Sequence, residues 1–457
     1  MQIHPLDNVE VKENGHKYAL CDIPVGENVI KYGFAIGHAK VDIKKGDLVS
    51  PDNLKSNLAG VHEWEYKPYI EPEKECLDGT FLGYLRKNGK VGIRNDLLIV
   101  PTVGCANAIA LKLAEKTGAK ALTHPYGCSQ LGGDALTTMK VLSGLIKHPN
   151  AGGVLVLGLG CENNGIERMR EVLGEVDTER IRFLNLQDCQ DEFECGLKIL
   201  NDLKKLMLAD KRTPVPISKL QIAVKCGGSD GYSGITANPL VGMVADKFYQ
   251  YGATVLMSEM PEVFGAEPIL LERSYDEKAF NEASNMINAF RQYFIDHGEG
   301  IADNPSPGNI AGGISTLEEK SLGCVQKAGK VTLKGALNFG ETTDEGGLFL
   351  VNGPGNDQVA VTNLAASGAH IILFTTGRGT PLCGPVPTLK ISTNTDLYLK
   401  KPHWIDFDAG VLLNDADREE VANQLFDLCF STAEGNLSLG EKNGYLDIAI
   451  FKDGVTL

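Results

Sequence analysis

The residues best suited to chemistry lie just after short apolar runs. Four of the eleven cysteines, Cys105, Cys128, Cys161 and Cys226, each follow such a run and sit beside glycine. A thiol at the carboxyl end of a parallel strand stands on the ligand side of the sheet. It can bind a soft metal, as three thiolates hold an iron–sulfur cluster, or it can be a small residue lining a polar pocket. Plain packing as a small hydrophobe is the alternative. The carboxylates Glu162, Asp230, Glu259, Glu262 and Glu267 also lie on or near strand ends. With His16, His38 and His124 they offer oxygen and imidazole ligands for a divalent ion. Any one of them alone reads by default as a solvated loop group. Glu259 and Glu262 bracket a turn that directly follows the apolar run 254–257. His16-Lys17 can supply an acid, a base or an anion clamp, or can be an exposed hairpin tip. Arg378, within Gly377-Arg378-Gly379-Thr380-Pro381, can take a carboxylate bidentately or be an ordinary surface arginine.

The elements that must position these groups follow from periodicity and turn signals. Residues 220–242 are the central stretch. Ile222-Ala223-Val224 reads as a buried strand that breaks at Cys226-Gly227-Gly228 and then offers Ser229, Asp230, Thr236 and Asn238. A helix is predicted over 239–249, with Pro239 at its first position. Residues 1–70 alternate in short segments separated by Gly, Pro and Asn turns and read as a small β-rich domain. Residues 71–77 read as a linker. Residues 78–212 and 213–457 read as two α/β domains with largely parallel sheets, with strands near 97–100, 121–123, 154–157, 181–184, 254–257 and 371–374. Helices are predicted over 108–117, 191–208, 276–296 and 418–431. The Pro- and Gly-rich run 303–309 reads as neither helix nor strand.

The 457 residues carry 44 Lys plus Arg against 59 Asp plus Glu, a net charge of −15. That excess argues against nucleic-acid or anionic-membrane partners and leaves room for a small anionic substrate bound by local cations. There is no apolar run long enough to span a bilayer and no signal-peptide pattern, so the expected compartment is the cytoplasm. Scattered cysteines without a CxxC pair speak against disulfides there. No Walker A sequence is present, and no GxGxxG opens a helix after a strand.

Several longer strings carry a resemblance. They are Phe81-Leu82-Gly83-Tyr84 with Gly89-Lys90-Val91-Gly92-Ile93-Arg94-Asn95, Gly158-Leu159-Gly160-Cys161-Glu162, the run from Cys226 through Asp230 and Asn238 to Pro239, Asn304-Pro305-Ser306-Pro307-Gly308-Asn309, and Phe374 through Pro381. In this order they resemble the altronate/galactarate dehydratase family, and Ser258-Glu259-Met260-Pro261-Glu262 is similar to the altronate branch. The segment from His4 through Gly15-His16-Lys17 to Gly33 resembles that family's SAF (β-clip) domain. The resemblance implies a metal-dependent hydro-lyase that converts a sugar acid such as D-altronate to a 2-keto-3-deoxy acid. Galactarate is the alternative substrate. A sulfolactate sulfo-lyase or a non-catalytic sugar-acid-binding protein is the alternative function.

The implied site has His16, Lys17 and Glu259 as catalytic residues. Ser229, Asp230, Thr236, Asn238, Arg378 and Thr380 would bind substrate, and Cys128, Cys161, Cys226 and Glu262 would bind metal. The implied cofactor is Fe²⁺ or Mn²⁺, with an iron–sulfur cluster on Cys128, Cys161 and Cys226 as the alternative. A homodimer is expected.

Overall fold

A computed structural model of the chain describes residues 3–457 apart from 74, 302 and 415. The first two residues of the expected β domain and Lys74 of the expected linker therefore lie outside the described residues. The N-terminal part holds two three-stranded antiparallel sheets made from strands of two to six residues. Their alternating residues Val9, Val11, Val29, Ile36 and Val49 are buried, and all but Val11 join the same hydrophobic core as Ile222 and Val224. Among the described residues of 56–79 there is no helix or strand, as the prolines and charges of that segment dictate.

The next part is built on a parallel sheet in which Asp96–Pro101 is flanked by Lys120–Ala121 on one side and Ala151–Gly158 on the other, with Ile181–Asn185 beyond. The largest part carries a seven-stranded sheet whose pairings are all parallel. Gln221–Cys226 lies at its middle, between Thr254–Met257 and Ile371–Thr376. All six residues of Gln221–Cys226 are buried, because helices cover both faces of such a sheet. The fold is thus mixed α/β with a small β-rich N-terminal region.

Helix boundaries follow local capping. Asp191 and Asp276 accept the amides of Glu194 and Ala279 and start the helices Glu192–Met207 and Glu277–Asp296. Two expectations need correction. The helix after the central strand is Ala237–Gln250, so Pro239 is its third residue; a first-turn amide has no intrahelical partner, and proline is tolerated there. Within 303–309, Ser306 and Asn309 form a capping box that starts the short helix Pro307–Ala311, so local hydrogen bonding overrides the proline content.

His148 and His370 tie the two sheets' parts together. Their Nε2 atoms donate to Ala369 O at 3.0 Å and Val91 O at 2.7 Å, and their Nδ1 atoms accept from Asn150 N and Gln221 N. Both rings are therefore neutral. Burial holds His148 down to about 3 and His370 down to about 4, against an ordinary 6.5. Between those values and 6.5 the unfolded chain binds more protons than the folded one. Stability should therefore be complete above about pH 6.5 and fall as pH drops toward 4. Each unit of displacement is worth about 1.4 kcal/mol. Urea midpoints measured from pH 4 to 7 should show this slope, and a His148→Gln/His370→Gln variant should flatten it.

Candidate active site

Part of the sequence-predicted set, from Lys17 and Asp230 to Cys226, Glu259 and Glu262, gathers at two adjoining places, and one short helix organises both. Leu317–Cys324 starts at Thr316, whose hydroxyl caps Glu319 N and donates to Ile36 O of the β domain at 2.6 Å. Glu318 Oε1 accepts from Ser56 Oγ and Asn57 N. Glu319 lies between two lysines of the β domain, with Lys17 Nζ at 2.8 Å and Lys31 Nζ at 2.7 Å. All three side chains are at most 1% exposed. Burial alone would raise Glu319, but the two ammonium groups outweigh it and hold it down to about 2. Burial, reinforced by Lys31, pushes Lys17 down to about 8 despite Glu319.

Lys17 also donates to Gly313 O at 2.7 Å and Ser315 Oγ at 2.8 Å, so its three protons all have acceptors. This seats the turn Gly15-His16 on the large domain. A Cβ on Gly231 would fall 1.9 Å from Gly15 O, so only glycine admits this approach. Among the described residues the half-buried His16 ring has no hydrogen-bond partner. The short helix Pro307–Ala311 and the two glycines after it run from this turn to Arg378: a Cβ on Gly313 would lie 3.4 Å from His16 Cα, and the exposed Arg378 donates to Gly308 O at 3.3 Å. Asp230 lies below. Its Oδ1 accepts from Tyr232 N and Ser233 Oγ, and its Oδ2 accepts from Thr393 Oγ1 at 2.8 Å and Asn394 Nδ2 at 3.2 Å. Burial outweighs these bonds and raises Asp230 above the usual carboxylate range.

Most of the other expected substrate residues brace this seam. Ser229 O accepts from Asn309 Nδ2, and Thr236 Oγ1 donates to Thr393 O. Asn238 spans Gly323 O and Thr375 Oγ1, whereas Thr380 Oγ1 accepts from Leu382 N in a local turn and takes no part in the seam's hydrogen bonds. A cavity of about 10 Å³, lined by Lys31, Tyr32, Ser229, Asp230, Asn238 and Lys320 among others, remains in the seam. That volume holds about one water molecule.

The second place is buried beneath the first. Lys320, which lines the seam cavity, reaches Glu262 Oε1 at 2.8 Å. Cys226 Sγ lies 3.4 Å from Glu262 Oε2, 3.8 Å from Cys324 Sγ and 3.8 Å from both oxygens of Glu259. One ligand atom from each of these four residues lies within 4.8 Å of the other three. Glu259 adopts φ +73°, a costly conformation for a residue with a side chain, and directs its carboxylate to Cys226 N at 3.1 Å and to Lys225. Lys327 Nζ donates to Cys226 Sγ at 2.8 Å, Cys324 Sγ at 2.9 Å and Glu259 Oε2 at 3.2 Å. Burial would raise Glu262, but Lys320, Lys225 and Lys327 outweigh it and lower it.

The donor set fits a divalent ion of intermediate softness. Tetrahedral coordination with ~2.3 Å bonds to sulfur and ~2.0 Å bonds to oxygen gives donor spacings like those observed. Lys225, Lys320 and Lys327 balance Glu259, Glu262 and Asp357, so ionising both thiols leaves a double negative charge that such an ion offsets. In this structure the Lys327 ammonium holds three of the same donors.

The expected metal set divides. Cys226 and Glu262 belong to this group, whereas Cys128 and Cys161 are exposed at the edge of the other parallel sheet. The remaining candidates have structural partners. His124 Nε2 bonds Pro101 O, His38 pairs with Asn57 on the surface, and Glu267 pairs with Arg291. Glu162 accepts from Thr102 and the amides of Leu159 and Gly160.

Profiles of one family match three successive stretches. They are the altronate/galactarate dehydratase SAF domain over 6–57, the D-galactarate dehydratase/altronate hydrolase second domain over 83–207, and the D-galactarate/altronate dehydratase C-terminal domain over 217–456. The chain belongs to the altronate/galactarate dehydratase family. It is 48% identical to the altronate dehydratase of Bacillus subtilis, with 98% of this chain and 94% of that protein aligned. It is 47% identical to the altronate dehydratase of Escherichia coli, over 97% and 92% of the two chains. Identity to the L-threo-forming galactarate dehydratase of E. coli is 32%, over 94% and 87%. The chain is accordingly a hydro-lyase.

Sequence reasoning missed Cys324, Lys327, Lys320 and Glu319 of this dehydratase. Cys324 and Lys327 stand three residues apart, the spacing of one helix face, and that was the available signal. The preceding Glu318-Glu319-Lys320 gives the segment the composition of a solvated surface. Among the described residues no helix is long and apolar enough to cross a membrane.

Proposed function

We propose that this chain removes water from D-altronate to give a 2-keto-3-deoxy acid, as a cytoplasmic homodimer. The convergence of His16, Asp230 and Arg378 at one seam, directly above a thiol–carboxylate group, carries this reading. The high identity to two altronate dehydratases over nearly whole chains favours altronate over galactarate. The substrate is a 2,3-dihydroxy acid, and its anionic carboxylate suits the exposed fork of Arg378. The seam, closed here to about 10 Å³, opens to admit it. His16, whose ring has no other partner, removes the proton at C2. It returns that proton to the C3 hydroxyl, which leaves as water, and the resulting enol tautomerises to the ketone. Asp230, oriented by Tyr232, Ser233, Thr393 and Asn394, accepts hydrogen bonds from the substrate hydroxyls. Lys17 holds the turn that carries His16. Cys226, Cys324, Glu259 and Glu262 would hold Fe²⁺ or Mn²⁺. Such an ion supplies Lewis acidity that stabilises negative charge developing on substrate oxygen.

The test is a comparison of altronate and galactarate as substrates with keto-acid detection, in the native enzyme and in Arg378→Ala. Altronate should be preferred. Losing one charged hydrogen-bonding partner, worth about 1.5–3 kcal/mol, should raise KM for altronate roughly 10- to 100-fold with a smaller change in kcat. An unchanged KM would remove Arg378 from the site, and a preference for galactarate would overturn the substrate.

A further inference from the structure

The hairpin that carries Lys31 holds a residue that its turn does not favour. Strands Asn28–Lys31 and Phe34–Ala39 pair antiparallel with Lys31 opposite Phe34, so Tyr32 and Gly33 form a two-residue turn. Both take positive φ, +60° at Tyr32 and +79° at Gly33. A turn of that kind favours Asn, Asp or Gly at its first position, because a bulky side chain is costly there. Asp7 Oδ1 accepts from Gly33 N at 2.8 Å and fixes the turn. Conformations that cost this much gather at functional sites.

The phenol's surroundings show what the turn achieves. Tyr32 reaches from the β domain into the seam and lines its cavity together with Ser229, Asp230, Asn238 and Lys320. Two glycines of the large domain receive the hydroxyl. A Cβ on Gly234 would overlap the phenol oxygen, and a Cβ on Gly323 would lie 3.9 Å from it. Lys31 Nζ stands 4.8 Å from the ring centre. Burial raises the phenol, Lys31 works against the rise, and Glu319 adds to it, so the hydroxyl keeps its proton at neutral pH. Lys31 is its hydrogen-bond neighbour and can only donate. Among the described residues the phenol O–H is therefore left without an acceptor, at the wall of a polar cavity.

We propose that Tyr32 is a catalytic residue whose hydroxyl donates a hydrogen bond to the substrate oxygen that gains negative charge as His16 takes the C2 proton. The inference rests on the dehydratase reading above. The phenol keeps its proton throughout, so the proton still passes from C2 through His16 to the departing hydroxyl. The Lys31 ammonium strengthens the donor, because a nearby cation favours negative charge on the phenol oxygen. A donor held in place before the charge develops stabilises the transition state more than the ground state. Docking of the β domain thus brings two groups to the substrate, His16 on one turn and Tyr32 on another.

The test is altronate turnover by the full chain with Phe or 3-fluorotyrosine at position 32. Tyr32→Phe should lower kcat by about 100-fold or more. Its KM and melting temperature should stay near native, since the ring that fills the turn remains. 3-Fluorotyrosine, a stronger donor of nearly the same size, should match or exceed the native kcat. Near-native turnover in Tyr32→Phe would overturn the proposal. So would a 3-fluorotyrosine chain as slow as Tyr32→Phe, because packing would then account for the loss. A native chain that forms no keto acid from altronate would overturn the dehydratase reading and this proposal together. Native turnover with an unimpaired Tyr32→Phe would overturn the proposal alone.

Discussion

Glu319→Gln should undock the N-terminal β domain and abolish most turnover. The carboxylate is the shared partner of Lys17 and Lys31, and all three side chains are buried. Removing one member of a buried charged set leaves uncompensated charge in a low dielectric and costs about 3–5 kcal/mol. Here two ammonium groups lose their counterion together. The amide is nearly the same size, so the loss is electrostatic and no cavity forms. The cost falls on the contact between the β domain and the helix Leu317–Cys324, because Lys17 and Lys31 both come from that domain. Calorimetry should show a new transition at lower temperature while the rest of the chain melts as before. Turnover should drop with it by about 100-fold or more, the usual contribution of a positioned acid–base group, since His16 rides on the same turn. The Glu319 contribution has a defined pH window. Held at about 2 against an ordinary 4.5, the carboxylate stabilises fully above about pH 4.5, and that stability is lost as pH falls toward 2.

Glu259→Gln should strike the chemistry and leave the docking intact. Glu259 is fully buried and faces Cys226 N, Lys225 and Lys327. Removing its charge breaks the balance of three lysines with three carboxylates and removes one anionic donor from the thiol–carboxylate group. Loss of a hydrogen-bonded neighbour of a metal ligand typically costs about 10- to 100-fold in affinity or activity. Loss of a donor itself should slow turnover by at least ~100-fold and lower the bound divalent metal in parallel. Both can be measured on one preparation, by turnover and by metal analysis after dialysis. The low-temperature transition expected for Glu319→Gln should be absent. A variant with full metal content and native turnover would remove Glu259 from the reaction.

The contrast between these residues shows what the sequence makes legible. Strand ends rich in glycine and polar groups mark Ser229, Asp230, Glu259 and Arg378, because strand periodicity and turn chemistry are local properties. The partners that give those groups meaning come from far along the chain. Lys17 meets Ser315 across 298 positions, and Lys31 meets Glu319 across 288. No local pattern encodes such pairings. Lysines 17, 31, 225 and 327 are all at most 1% exposed, against the usual behaviour of lysine, and each is buried because a distant carboxylate or thiol compensates it. The helix Leu317–Cys324 is hidden for the same reason. Its Glu-Glu-Lys sequence is that of a solvated turn, yet every residue but Lys320 is buried because each charge has a partner on another segment. The Pro307–Ala311 helix was masked differently: a side-chain capping box decides its start, and composition alone favours a loop. The four-stranded parallel sheet is readable throughout, whereas in the seven-stranded sheet the sequence marks Gln221–Cys226, Thr254–Met257 and Ile371–Thr376 and leaves Leu333–Leu337, Gly347–Val351, Thr388–Ser392 and Phe407–Asp408 unread.

The most direct test of the dehydratase reading is to incubate the anaerobically purified chain, loaded with Fe²⁺, with D-altronate and to follow keto-acid formation. One equivalent of 2-keto-3-deoxy acid should form per altronate consumed. Turnover should be lost on chelation and in His16→Ala, and iron alone should restore it to the chelated native enzyme. Absence of keto acid from the iron-loaded chain, or turnover undiminished in His16→Ala, would contradict a site at the seam between the β domain and the large sheet.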